Sequence, residues 1–154
     1  MTDTTSSVVQ AVEWRLWLMR LLALAGLGVS GYLTWTHLTN QAIVCGGSQD
    51  CDLVQQSVYS AVLGIPVALL GMLAYATLLG LMFLRGRLPE ALDAYIPLAI
   101  FGISLIGVLY SAYLTYLEIY VIYAICRWCV SSAVIITAIF LLSLPDLRSG
   151  ADLP

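Results

Sequence analysis

The stretch L-W-L-M-R-L-L-A-L-A-G-L-G-V-S-G-Y-L-T-W-T-H-L, from Leu16 to Leu38, decides the fold. Its one charge, Arg20, lies close enough to the start to reach the headgroups along its own aliphatic stem. As a helix, the stretch is long enough to cross a hydrocarbon layer of about 30 Å. A cleaved leader peptide is the competing reading. The run exceeds the apolar core of about 7 to 15 residues that such peptides carry, and no small-x-small site follows, so retention is expected.

Working outward, charge-free runs recur at about 61–84 and 95–117, and a fourth apolar run at about 125–144 carries only Arg127 in its opening turn, each long enough for a span. The bulk numbers agree, with 61% hydrophobic and 10% charged residues and a mean hydropathy of +0.95. The expected fold is therefore an all-α integral membrane protein. It is a bundle of four transmembrane helices forming one domain over residues 1–154, with lipid around it and an extracytoplasmic loop between the first two spans. A net charge of −3 with no lysine leaves no electrostatic footprint for nucleic acid.

Arginines orient the bundle, because positive residues are retained on the cytoplasmic side and short loops count most. Arg15 and Arg20 flank the start of the first span, Arg85 and Arg87 lie between the second and third, and Arg148 follows the fourth. Only Arg127 dissents. Both termini are thus expected on the cytoplasmic side of a cell (inner) membrane, with the Thr39 to Ser60 loop and the Glu118 to Trp128 turn outside.

That topology brings four cysteines to one face. Cys126 and Cys129 form C-R-W-C at the start of the fourth span, where free backbone N–H groups and the helix dipole favour a thiolate. Cys45 and Cys51 bracket C-G-G-S-Q-D-C, whose Gly46 and Gly47 promise a mobile loop. A mobile pair that meets a soluble thiol protein on one side and a helix-tip pair on the other would form a thiol–disulfide relay. Two other readings stand beside it: a zinc site built from the four sulfurs, and two structural disulfides. No metal is expected.

Other features receive plainer readings. Gly26 to Gly31 spell G-x-G-x-x-G, but inside a span with no preceding strand they serve helix packing, as Gly71, Gly102, Gly107 and Ser111 do. His37 is expected to cap a span at the interface, and Glu118 to be a solvated boundary residue. Tyr113, Tyr116, Tyr120 and Tyr123 form an aromatic belt or line a ligand pocket.

The run C-x5-C-D from Cys45, Ser57, the L-G-I-P of Leu63 to Pro66 and the final C-x-x-C resemble the vitamin K epoxide reductase family over nearly the whole chain. The resemblance implies four core helices around a quinone of menaquinone, ubiquinone or vitamin K type. It implies that Cys129 lies closest to the quinone with Cys126 as its partner. Cys45 and Cys51 would act as the shuttle, and Ser57 as a loop serine linked with electron transfer. Ser57 would border the quinone with Cys129, and their helical spacing makes Tyr113 and Tyr116 candidates for the same pocket. Electrons would run from a thioredoxin-like extracytoplasmic protein, expected to be a separate polypeptide, through Cys45, Cys51, Cys126 and Cys129. The activity implied is quinone-dependent disulfide formation, as in the bacterial members. Mammalian relatives carry a tyrosine where this chain has Ala133, so epoxide reduction by the mammalian mode is not implied. The alternatives are a membrane conduit for thiol electrons and a non-catalytic scaffold.

Overall fold

Backbone N–H and C=O groups find no water inside a bilayer, so a spanning chain satisfies them within helices. The computed structural model, which describes residues 2–151, follows that rule. Its elements are α1 (Thr2–Thr39), α2 (Asp50–Gln56), a 3-10 turn (Val58–Ser60), β1 (Ala61–Val62), β2 (Ile65–Pro66), α3 (Val67–Leu84), α4 (Glu90–Asp93), α5 (Ile96–Leu117), a π-helical turn (Glu118–Ile122) and α6 (Arg127–Ala151). Among the described residues, four helical segments are long and apolar enough to span: Val9–Thr39, Val67–Leu84, Glu90–Ile122 and Arg127–Arg148. The expected four-helix membrane bundle is present.

Two boundaries differ from expectation. α1 begins well before Leu16, since a helix may continue into water where no apolar run marks it. Asn40, at φ 51°, ends it in the left-handed conformation that asparagine tolerates. The second span starts at Val67 rather than Ala61, because Ala61 to Pro66 form an antiparallel hairpin in which Val62 faces Ile65. Its two-residue turn, Leu63 and Gly64, has φ 53° and 83°, as a type I′ turn requires. An uncharged apolar run does not by itself separate strand from helix. Gly64 and Pro66 are the residues that do so.

Hydroxyls inside α1 bond back to their own helix. Thr34 donates to the Ser30 carbonyl at 2.7 Å, Thr39 to that of Trp35 at 2.8 Å, and Ser30 to that of Gly26. Each polar group is thereby satisfied without water.

α1 packs against α3 and α6, and α5 against α6, whereas α3 and α5 touch less closely. The central core comprises Met19, Ala23, Leu78, Met82, Ile100 and Ile139 with their neighbours. The packing role expected of the glycines holds for some. A Cβ on Gly26 would enter the Tyr75 ring, and one on Gly107 would come within 2.7 Å of Ile136. Gly28, Gly31 and Gly102 have no such neighbour, so close packing does not explain them.

The far end of the bundle is held by charge. Asp146 of α6, only 7% exposed in its side chain, pairs with Arg15 of α1 and with Arg85 at 2.7 Å just beyond α3. Arg20 donates to the Met82 carbonyl at 2.9 Å and lies over the Phe83 ring. These arginines lie at the end opposite the cysteines.

Candidate active site

The two cysteine pairs, far apart in sequence, meet in one buried cluster. Cys45, Cys51 and Cys126 pack with Leu33, Val54 and Ala124, and Cys129 lies against them. Cys45 and Cys51 form a disulfide with Cα atoms 6.0 Å apart. Cys126 and Cys129 are free thiols.

The first pair is less mobile than its glycines suggest. Gly46 and Gly47 do take positive φ, 66° and 97°. Flanking bonds nevertheless tether the loop: Ile43 N–H to the Asp52 carboxylate at 2.9 Å, Val44 N–H to the Tyr32 hydroxyl at 3.2 Å, and the Trp128 indole N–H to the Val44 carbonyl at 2.9 Å. The Trp128 and Tyr32 rings stack with centroids 5.2 Å apart, and Arg127 lies across Gly46. The helix-tip sequence R-W thus clasps the outer loop, leaving Cys45 4% and Cys51 0% exposed.

Cys126 sits one residue before α6, at its N-cap. Its carbonyl accepts the Val130 N–H at 3.0 Å, and its sulfur takes the place of a capping oxygen, accepting the Cys129 N–H at 3.3 Å. The Cys129 thiol also bonds this sulfur, and the Cys129 and Trp128 N–H groups add to it, holding the Cys126 thiol below its ordinary pKa against the opposing effects of burial and the Glu118 charge. The helix-tip thiolate expected from the C-x-x-C position is therefore Cys126.

Glu118 is not the solvated boundary residue expected. It is 3% exposed and opens the π-helical turn after α5. Its Oε2 accepts the Cys126 N–H at 3.0 Å, and its carbonyl accepts the Ala124 N–H at 3.1 Å. The signal was present in the sequence, because Glu118 is the only acidic residue between Asp93 and Asp146 and stands eight positions before Cys126. Gln55 of α2, also absent from the sequence reading, reaches the Cys129 sulfur with its amide at 3.8 Å.

Beside these groups lies a cavity of about 430 Å³, walled largely by apolar side chains of α3 and α5. Its volume falls within the range of about 300–1,000 Å³ typical of small-molecule sites. Cys129, Glu118, Gln55 and Ser57 line it, and Cys126 does not. Leu70 and Ile106, both exposed on the outer surface of the bundle, also line it, so the cavity reaches the lipid-facing side between α3 and α5. Tyr75 closes the deep end, its hydroxyl donating to the Ser132 carbonyl at 2.8 Å.

A family profile for vitamin K epoxide reductases matches residues 17–144. The chain belongs to the vitamin K epoxide reductase family. It is accordingly an integral membrane thiol oxidoreductase, and its two cysteine pairs are of the kind that such an enzyme needs. Vitamin K epoxide reductases use quinones, and the residues present fit one: an apolar slot open to lipid, with a thiol and a carboxyl at the same end.

The pocket assignment suggested by the helical spacing of the α5 tyrosines does not fit. Tyr113 and Tyr116 are absent from the cavity lining and are 51% and 56% exposed. The lining stripe of α5 runs through Ile103, Gly107, Ser111, Leu114 and Glu118, and at about 100° per residue both tyrosines turn away from it. Tyr110 is the tyrosine of α5 that borders the cavity. His37 faces a separate polar recess with Asn40, Gln41 and Asp52.

Proposed function

We propose that this vitamin K epoxide reductase homologue is a quinone-dependent thiol oxidase, which reoxidises a thioredoxin-like protein outside the cytoplasm and so supports disulfide formation. The carrying observation is the division of the C-x-x-C: Cys129 borders the lipid-open cavity, while Cys126 is buried with Cys45 and Cys51. That division supports a reading in which one sulfur serves the membrane acceptor and the other the protein relay.

The chemistry divides accordingly. A partner dithiol reduces the Cys45–Cys51 disulfide and leaves oxidised. The Cys51 thiolate then attacks Cys126 in an oxidised Cys126–Cys129 pair, forming a mixed disulfide and releasing Cys129. Cys45 resolves it, which restores Cys45–Cys51 and leaves a dithiol at the helix tip. When bound, the quinone supplies an acceptor for two electrons and two protons. Gln55, Ser57 and the apolar walls hold the acceptor site and exclude water. The arginine-rich end faces the cytoplasm, and the cysteine end faces outward, where disulfides persist.

The test is reconstitution with a quinone and a reduced thioredoxin-like protein, following quinone absorbance. Cys129→Ala should abolish turnover with any reductant. Cys45→Ala should stop turnover driven by the protein partner but retain it with a small dithiol able to reach the C-x-x-C directly. Full turnover by Cys129→Ala would remove the basis of the proposal, and equal loss with both reductants in Cys45→Ala would refute the relay order.

A further inference from the structure

We propose that Glu118 is a proton donor of this site, delivering to the reduced acceptor the one proton that the helix-tip cysteine pair lacks. The inference rests on the quinone reading above and deepens it.

The argument begins with proton balance. The Cys126 sulfur accepts bonds from the Cys129 thiol and from backbone N–H groups, an environment that favours its thiolate. A pair held as one thiolate and one thiol carries two electrons but only one proton. Forming the Cys126–Cys129 bond while reducing a quinone to a hydroquinone requires two of each. The missing proton must come from a group in contact with the site.

Glu118 meets that requirement by position. It lines the same cavity as Cys129, accepts the Cys126 N–H at 3.0 Å, and is 3% exposed. Among the described ion pairs none involves Glu118, so no guanidinium fixes its charge. The titratable groups beside it at the start of α6 are Cys126 and Cys129. Around the shared cavity stand the neutral Gln55 amide of α2, Tyr75 of α3, whose hydroxyl is engaged by Ser132, Tyr110 of α5 and Tyr59 of the 3-10 turn. The cavity is otherwise mainly apolar, so few other groups there can exchange a proton.

The step then closes. The Cys126 thiolate, Cys129 thiol, Glu118 carboxylic acid and quinone become the Cys126–Cys129 disulfide, the Glu118 carboxylate and the hydroquinone. Two electrons pass from sulfur to quinone, one proton comes from Cys129 and one from Glu118, and the net charge is unchanged. When a dithiol next reduces the pair, it gives up two protons, of which Cys129 retains one and Glu118 takes back the other.

Glu118→Gln tests this cleanly, because the amide keeps an oxygen to accept the Cys126 N–H while losing the transferable proton. A quinone-free readout comes first. Excess dithiothreitol reduces the fully oxidised chain, and a pH-indicator dye counts the protons released. Glu118→Gln should release about one proton more per chain than wild type, because the carboxylate that absorbs it is gone. Equal release would overturn the proposal.

In a second arm, pre-reduced protein is mixed with a short-chain quinone and followed in a single turnover. Glu118→Gln should be slower by about 10²-fold, with partial recovery in Glu118→Asp. An unimpaired rate in Glu118→Gln would also overturn the proposal. If wild type reduces no quinone, the quinone reading fails, and the dye count still decides whether Glu118 gains and loses a proton with the disulfide.

Discussion

Cys126 shows how much of this site resides in one atom. Its sulfur caps α6 through the Cys129 N–H and accepts the Cys129 thiol, so the charged form is favoured. A depressed pKa means that the thiolate persists to lower pH than in an ordinary cysteine and is lost only as pH falls through the lowered value. The rate at which a small methanethiosulfonate labels Cys126, mapped by mass spectrometry against pH, should therefore have its midpoint below that of a cysteine peptide. A midpoint at or above the peptide's would contradict the capping account. Gly107 makes a steric counterpart. A methyl there meets Ile136 at 2.7 Å, so Gly107→Ala should lower stability in detergent by about 1–3 kcal/mol. Gly102→Ala, with nothing within 4 Å, should be neutral or stabilising by up to about 1 kcal/mol. At this scale the sequence was partly legible. The four cysteines could be read because their residue type and spacing carry chemistry, and Ser57 only through the family resemblance. Glu118 left a signal as a lone acidic residue near the C-x-x-C, but its burial, like the reach of Gln55, comes from which way a turn and a short helix aim them.

Among the elements, the apolar runs gave four spans correctly because lipid enforces a length and a composition that water does not. The edges were less legible. The start of α1 is polar in sequence and leaves no hydropathy signal, and the hairpin at Ala61 to Pro66 is as apolar as the helix that follows it. Helix ends are also where charge acts. Asp146 joins α1 and α6 directly and ties in the chain just past α3 through Arg85. Asp146→Asn leaves two guanidinium groups without their carboxylate. It should cost about 2 kcal/mol in thermal unfolding, a figure reduced for the partial exposure of both arginines. Arg15→Gln and Asp146→Asn together should cost less than the sum of the single changes, since they remove one shared interaction.

For the whole molecule, the arrangement is one of opposed ends: Arg15, Arg20 and Arg85 at one, the cysteines and Arg127 at the other, with a slot between α3 and α5 beside the cysteines. The convergence of the cysteines was legible because alternating spans leave no other topology once the arginines are placed. The slot was not, because a void is produced by what neighbouring helices fail to fill and no single residue encodes it. On the quinone-dependent function proposed above, its side opening changes how the acceptor is met. A molecule that enters through the bilayer is sampled per lipid rather than per litre, so half-saturation is set by mole fraction within the membrane. Adding inert lipid at constant quinone should slow turnover in vesicles, whereas diluting the same vesicles with buffer should not.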